Sequence, residues 1–459
     1  MDSSPTAPGT GATWAGRPRG VPAAVPAPGV PLSFLGASAL GLVATGVAWF
    51  AAAGRAAHDV TADPVVGAVH FGVLATLAMG LLGALHQFVP VITGRPLRSA
   101  AAGYASCALW VAASWMLPLG IGLSVPGVTG LGGASAGVAV LVVSWNVWPA
   151  LRVRGKGPAV TAMRWSLAGA ILTTYLGVAF VGDRQASWFT LSARVDLAMG
   201  VLGLFAWLGT AYVGVASKLW PMFMLAHLES RGRSLRTSVW LVPAGALVLA
   251  SGLICALRVL AWSGALVLAA GAGAHLVALG AHVRHRRRAR DLHLVFVLTS
   301  AASLAAGAVL ALAAVLAGGA HPRGGRDLAA AAMALFGGWL LLALVGHAHK
   351  VVPFIAWSVL RARGVVTGPR GQALGFADLY WAAGARASYV STTAGVAALS
   401  LGLATGYPPA TRLAGILLAI TGAVAGANLA LGPWRVARRS RVAAAAAAAT
   451  VIPDPAPTR

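Results

Sequence analysis

Acidic residues are scarce in this 459-residue chain: ten Asp and Glu stand against thirty-four Lys and Arg, and only 10% of positions are charged. A soluble domain solvates its surface with roughly 25% charged residues, so the composition excludes an ordinary globular enzyme. Lysine is rarer still, with Lys156, Lys218 and Lys350 the full complement. The two cysteines, Cys107 and Cys255, both fall in apolar runs and make neither a disulfide framework nor a CxxC metal pair. No Walker loop, GxSxG or HExxH motif occurs, and the 58 glycines are scattered instead of gathered into a phosphate loop. ATP-driven chemistry within the chain is therefore not expected.

What the chain has in abundance is apolar sequence, at 58% hydrophobic residues and a mean hydropathy of +0.79. Runs of twenty or so apolar residues follow one another from Leu32 to Leu431, each long enough to cross the ~30 Å hydrocarbon core as a helix. In lipid only helices or a closed barrel satisfy the backbone, and these runs lack the alternation of barrel strands. The sequence predicts an all-α integral membrane protein with twelve spans, at about 32–54, 64–92, 99–121, 131–151, 162–182, 195–226, 238–258, 261–283, 292–318, 327–357, 387–405 and 409–431. Arginine is concentrated in alternate loops, as in Arg152 and Arg154, Arg233 and Arg236, Arg284 to Arg290, and Arg361 to Arg370. The positive-inside rule then places both termini in the cytoplasm. The net charge of +24 is read as this topology, because the charges sit in short loops without interleaved aromatics. The expected partner is the lipid bilayer and not nucleic acid. Residues 1–30, rich in Pro, Gly and Ala, and residues 435–459, basic and then Ala/Pro-rich, are expected to be disordered tails. Arg in place of Lys and the high Ala content point to a GC-rich bacterial genome and hence to the plasma (inner) membrane.

Three of the long runs align on a proline without gaps. Span 2 ends Gly83-Ala-Leu-His86-Gln87-Phe-Val-Pro90, span 6 ends Gly214-Val-Ala-Ser217-Lys218-Leu-Trp-Pro221, and span 10 ends Gly346-His347-Ala-His349-Lys350-Val-Val-Pro353. Two of the three lysines occupy the same repeat position. Repeats four helices apart predict three four-helix arcs with pseudo-threefold symmetry, carried by helices 64–92, 195–226 and 327–357. One reading of the motif is helix termination and packing alone. The other puts the polar position four residues before each proline, His86, Ser217 and His349, towards the bundle axis.

Ionisable groups inside spans are costly and mark functional sites. His70 opens span 2 near its outer end, while His86 lies roughly 24 Å further along the axis at 1.5 Å per residue. His86 and His349 are repeat equivalents, and two neutral imidazoles on facing helices suit axial ligation of haem iron or a soft metal. His347 is turned about 200° from His349. His275 and His282 share one face of span 8 as a candidate metal pair, and His293 opens span 9; cytoplasmic anchoring is the favoured account of this His/Arg-rich turn.

The stretch from His70 to Pro90 and the Gly-His347-Ala-His349 segment resemble helices 2 and 10 of the catalytic subunit (subunit I) of haem-copper oxidases and the related nitric oxide reductases. The resemblance covers the helical core in layout and only two or three short stretches in motif. It implies twelve helices in three arcs and haem bound by histidines among His70, His86, His347 and His349. It also implies a redox or NO/O2-related role, with electron-transfer subunits as partners. That family holds copper with histidines on helices 6 and 7. Here span 6 has no histidine before His227, which follows Pro221, and span 7 has none, so no copper centre is expected. The alternative is a transporter or channel whose axial pathway is lined by His86, Gln87, Ser217, Lys218, His349 and Lys350. A structural or assembly subunit is a third reading.

Overall fold

The computed structural model describes residues 27–154, 157–187, 192–226, 232–317 and 324–449. Most of the proposed N-terminal tail, and His227, lie outside them. Twelve helices are long and apolar enough to cross a membrane: α1 Gly29–Ala56, α2 Asp63–Thr93, α3 Ala100–Gly122, α4 Pro126–Leu151, α5 Pro158–Asp183, α6 Ala193–Met224, α7 Arg233–Ile254, α8 Arg258–Arg284, α9 Leu292–Ala317, α10 Gly325–Ala362, α11 Ala382–Thr405 and α12 Pro408–Arg439. No strand occurs among the described residues. All twelve expected spans are present in order. The largest difference is at the C-terminus, where residues expected as a disordered tail continue the last helix to Ala449. The Ala-rich run after Val442 is the strongest helix-forming composition available, and no glycine or proline interrupts it.

Three hairpins, α3–α4, α7–α8 and α11–α12, are closely packed pairs. Each turns through one residue with positive φ: Ser124 (54°), Ala256 (58°) and Gly406 (66°). Each turn is closed by the same hydrogen bond, Val125 N to Gly120 O (2.7 Å), Leu257 N to Gly252 O (2.9 Å) and Tyr407 N to Gly402 O (3.0 Å). These bonds satisfy carbonyls that the helix end would otherwise leave open. Two of the three carry a strained non-glycine residue. Helix α1 lies along α2 and α12, α5 along α6, and α9 along α10.

The three proline-bearing helices share a further irregularity. Each widens into eight residues of π-helix, Phe71–Ala78 in α2, Leu202–Gly209 in α6 and Ala334–Leu341 in α10. Each π segment begins nineteen residues before its proline. A π turn disturbs the usual backbone ladder, and in hydrocarbon the affected groups need other partners. Side chains supply donors: Ser38 Oγ to Thr76 O (2.7 Å), Trp110 Nε1 to Leu74 O (3.1 Å), Thr210 Oγ1 to Phe205 O (2.7 Å) and Ser300 Oγ to Trp339 O (2.7 Å).

The glycine seven residues before each proline sets how closely the neighbouring helix approaches. A Cβ at Gly83, Gly214 or Gly346 would lie 2.6, 2.5 and 2.5 Å from the Cβ atoms of Phe34, Ala162 and Phe296, on α1, α5 and α9. Small residues let membrane helices pack backbone to backbone. Gly214→Val is expected to cost about 1–3 kcal/mol through overpacking and to lower the melting temperature in detergent. Gly273→Val, at a position with open space around it, is the control and should leave the melting temperature unchanged.

Candidate functional site

Helices α2, α6 and α10 meet along a seam that encloses a narrow void of 50 Å³. All three line it with the same registers: Leu81, Tyr212 and Leu344 nine residues before the proline, Ala84, Val215 and His347 six before, and Phe88, Leu219 and Val351 two before. This is one helical face, spaced three and then four residues apart. Of these nine residues only Tyr212 and His347 are polar, and their rings meet edge to face at 5.7 Å.

The position expected to face this seam does not. His86 stacks on Phe34 of α1 at 5.1 Å, and Gly103 of α3 lies on its other side. His349 points to α11 and α12, with Nε2 2.8 Å from Ser388 Oγ and Nδ1 3.3 Å from Asn428 Nδ2. Ser217 donates to its own helix at Gly214 O (2.7 Å), and Lys218 is exposed. The structure therefore does not bring His86 and His349 together across the bundle. A shift of two residues along each helix is a rotation of about 200°, which moves the repeat's inward face from His86/Ser217/His349 to Ala84/Val215/His347. Gln87 and Lys350 do reach the interior, Gln87 at both the narrow void and the larger cavity beyond it, Lys350 at the latter. His275 and His282 pack against Trp220 at 4.7 and 6.1 Å, so their face turns inward and does not anchor a loop.

That larger cavity, of 550 Å³, lies at the proline end of the bundle. Its walls include Phe88, Met222, Phe223, Phe296, Phe354, Phe376 and Tyr380, and its charged groups are Arg288, Asp291 and Lys350. Asp291 Oδ2 receives a 2.6 Å hydrogen bond from Lys350 Nζ and lies 3.8 Å from Arg288 Nε. Its Oδ1 also accepts from Leu294 N (3.0 Å) at the start of α9. One carboxylate therefore serves two cations, leaving a net positive charge in a largely apolar chamber. Lys350 lies over the Phe223 ring at 5.0 Å, which adds a cation–π contact. His293 lines the same chamber and its ring centroid is 4.8 Å from that of His347, so the cavity and the seam are joined by an imidazole pair. The loop phenol of Tyr380 is pushed above its ordinary value by burial and, second, by the negative charge of Asp291.

Sequence reasoning placed Gln87, His347 and Lys350 among the functional residues and missed Tyr212, Asp291 and the inward role of His293. The signal was present in the repeat: Tyr212 stands where Leu81 and Leu344 stand in the other two helices.

The expected haem pairs were tested against these surroundings. A haem iron needs two imidazole nitrogens facing one slot. Both nitrogens of His349 are engaged by α11 and α12, and His86 is packed between Phe34 and Gly103. His70, with Nδ1 2.8 Å from Val66 O, lies sixteen residues from the register of His349, roughly 24 Å along the bundle. These pairs do not fit a haem between them. Among the described residues no three His, Cys, Asp or Glu side chains converge as a metal site. The fold and cavity define an all-helical chain of multi-pass membrane type with a cation-bearing chamber at the proline end of its bundle. No family model matches the chain, and no curated protein matches it either.

Removing the Asp291 charge should make the Tyr380 phenolate easier to form. In Asp291→Asn the ionisation midpoint of Tyr380 is expected to fall towards its ordinary value, read by near-ultraviolet titration with Tyr380→Phe subtracted. An unchanged midpoint would mean that the two groups do not share the chamber.

Proposed function

We propose that the protein transports small organic anions across a bacterial cytoplasmic membrane. On this reading the twelve helices form three four-helix arcs about a pseudo-threefold axis, with both termini in the cytoplasm. The 550 Å³ chamber then opens on the cytoplasmic side. The observation that carries the proposal is Lys350, a lysine on a spanning helix with its side chain only 20% exposed, facing an aromatic-walled chamber whose mouth holds the loop pair Arg288 and Asp291. Ionisable groups within membrane helices mark substrate pathways, and an anion entering here replaces Asp291 as the partner of Lys350. On the far side of the chamber the seam is narrow: Leu77 and Leu340 line its void, and Leu208 and Trp339 of the inner helices are buried. A chamber open at one end and narrow at the other is what alternating access requires of an inward-facing state.

Three repeated features support the three-arc layout: the π segments at one register, the three hairpin turns with positive φ, and the shared seam face. On this reading the likeness to the oxidase subunit extends to that layout and not to its haem sites, and no redox step is assigned.

The test uses benzenesulfonate, a permanently charged aromatic anion that does not cross lipid unaided. Proteoliposomes are expected to take it up faster than empty vesicles, and Lys350→Met should lower the rate about tenfold or more, as loss of a buried ionic contact does. Lys218→Met, at the exposed repeat equivalent, should match wild type. Equal uptake by wild type and Lys350→Met would end the proposal.

A further inference from the structure

Five buried polar ring atoms lack a hydrogen-bond partner among the described residues and belong to one connected set of rings: Trp220 Nε1, Trp339 Nε1, His275 Nδ1, His347 Nε2 and His293 Nε2. Tyr212 is the hub, with ring centroids 6.3 Å from Trp220, 6.0 Å from Trp339, 5.6 Å from His275 and 5.7 Å from His347. His347 then reaches His293 at 4.8 Å, and His293 opens on the chamber. Unpartnered buried groups are rare in folded proteins and each calls for an occupant or a role.

The chemistry of the five atoms selects the occupant. An indole N–H can only donate. His347 donates its Nδ1–H to Ala343 O at 2.8 Å, which leaves a lone pair on Nε2, an acceptor. A metal cation would satisfy the imidazoles and leave the indoles unpaired, and an anion would do the reverse. Water satisfies both, given two to four polar partners for each molecule.

We infer that internal waters thread these rings and that His293 and His347 relay protons between the chamber and the Tyr212 cage. A proton from chamber water adds to His293, and the imidazolium gives up one proton through a bridging water to His347 Nε2. His347, keeping its Nδ1–H on Ala343, releases the Nε2 proton to water beside Tyr212. Each imidazole ends neutral and one proton has moved inward. The titratable and charged groups facing this path are Tyr212 from α6, His275 and His282 from α8 and His293 from α9, with His349, Lys350, Tyr380, Asp291 and Arg288 at the chamber end. The relay deepens the transport reading by giving the chamber a coupling ion, and it rests on that reading for its purpose but not for its test.

The test is exchange of indole N–H with heavy water in the full-length, indole-15N-labelled protein in detergent, each signal assigned by Trp→Phe. Trp110, whose N–H is held by Leu74 O, is the protected reference. Trp220 and Trp339 are expected to exchange at least about a hundredfold faster than Trp110. His293→Leu should slow both about tenfold or more without moving Trp110, and His293→Gln, which hydrogen-bonds but cannot take up a proton, should be as slow as His293→Leu. Wild-type protection of Trp220 and Trp339 equal to that of Trp110 overturns the inference without any variant. So does unchanged exchange in His293→Leu, or exchange in His293→Gln as fast as in wild type. Fast, His293-dependent exchange in a protein that fails to take up benzenesulfonate would uphold the relay and sink the transport reading.

Discussion

A helix surrounded by hydrocarbon must satisfy its own backbone, and wherever it departs from the α ladder another group has to supply the missing partner. That constraint organises this protein. The π segments of α2, α6 and α10 disturb the ladder at one register, and Ser38, Trp110, Thr210 and Ser300 answer with donors. Ser38 and Trp110 tie α1 and α3 to α2, Ser300 ties α9 to α10, and Thr210 serves its own helix. The glycines at Gly83, Gly214 and Gly346 then let α1, α5 and α9 close to backbone distance, and a single face of each inner helix is left for the seam.

The seam explains why so few polar residues matter. Two of its three layers are completed by one polar member each, Tyr212 among leucines and His347 beside Ala84 and Val215. These two rings touch, and through them the interior polar groups, His275, His293, Trp220 and Trp339, form one connected set instead of isolated, separately costly burials. At its end the chamber takes the charge. Lys350 and Arg288 share Asp291, an arrangement an incoming anion can rearrange without leaving an unpaired charge behind.

Much of this was legible in the sequence. Hydropathy gave the twelve helices in order, because a run of twenty apolar residues has few other structures open to it. The proline-anchored repeat identified the three helices that meet. What the repeat could not give was their rotation. Aligned polar residues at His86, Ser217 and His349 read as inward, yet on flanking helices Phe34 stacks on His86, and Ser388 and Asn428 bond His349. Only side-chain partners from distant sequence distinguish the two faces. The same holds for His293, which reads as part of a cytoplasmic anchor until α9 is placed beside α10, and for Asp291, which no motif marks. The continuation of α12 through its basic and alanine-rich end to Ala449 was missed because composition was weighed as disorder where propensity favoured helix.

The central claim is that the residues six before each proline, not those four before, face one another where α2, α6 and α10 meet. Thiol cross-linking in a background with Cys107 and Cys255 replaced by serine tests it most directly. Ala84→Cys paired with Val215→Cys should be joined efficiently by a short bismaleimide, and His86→Cys paired with Ser217→Cys should not. Cross-linking of the second pair in place of the first would contradict the account.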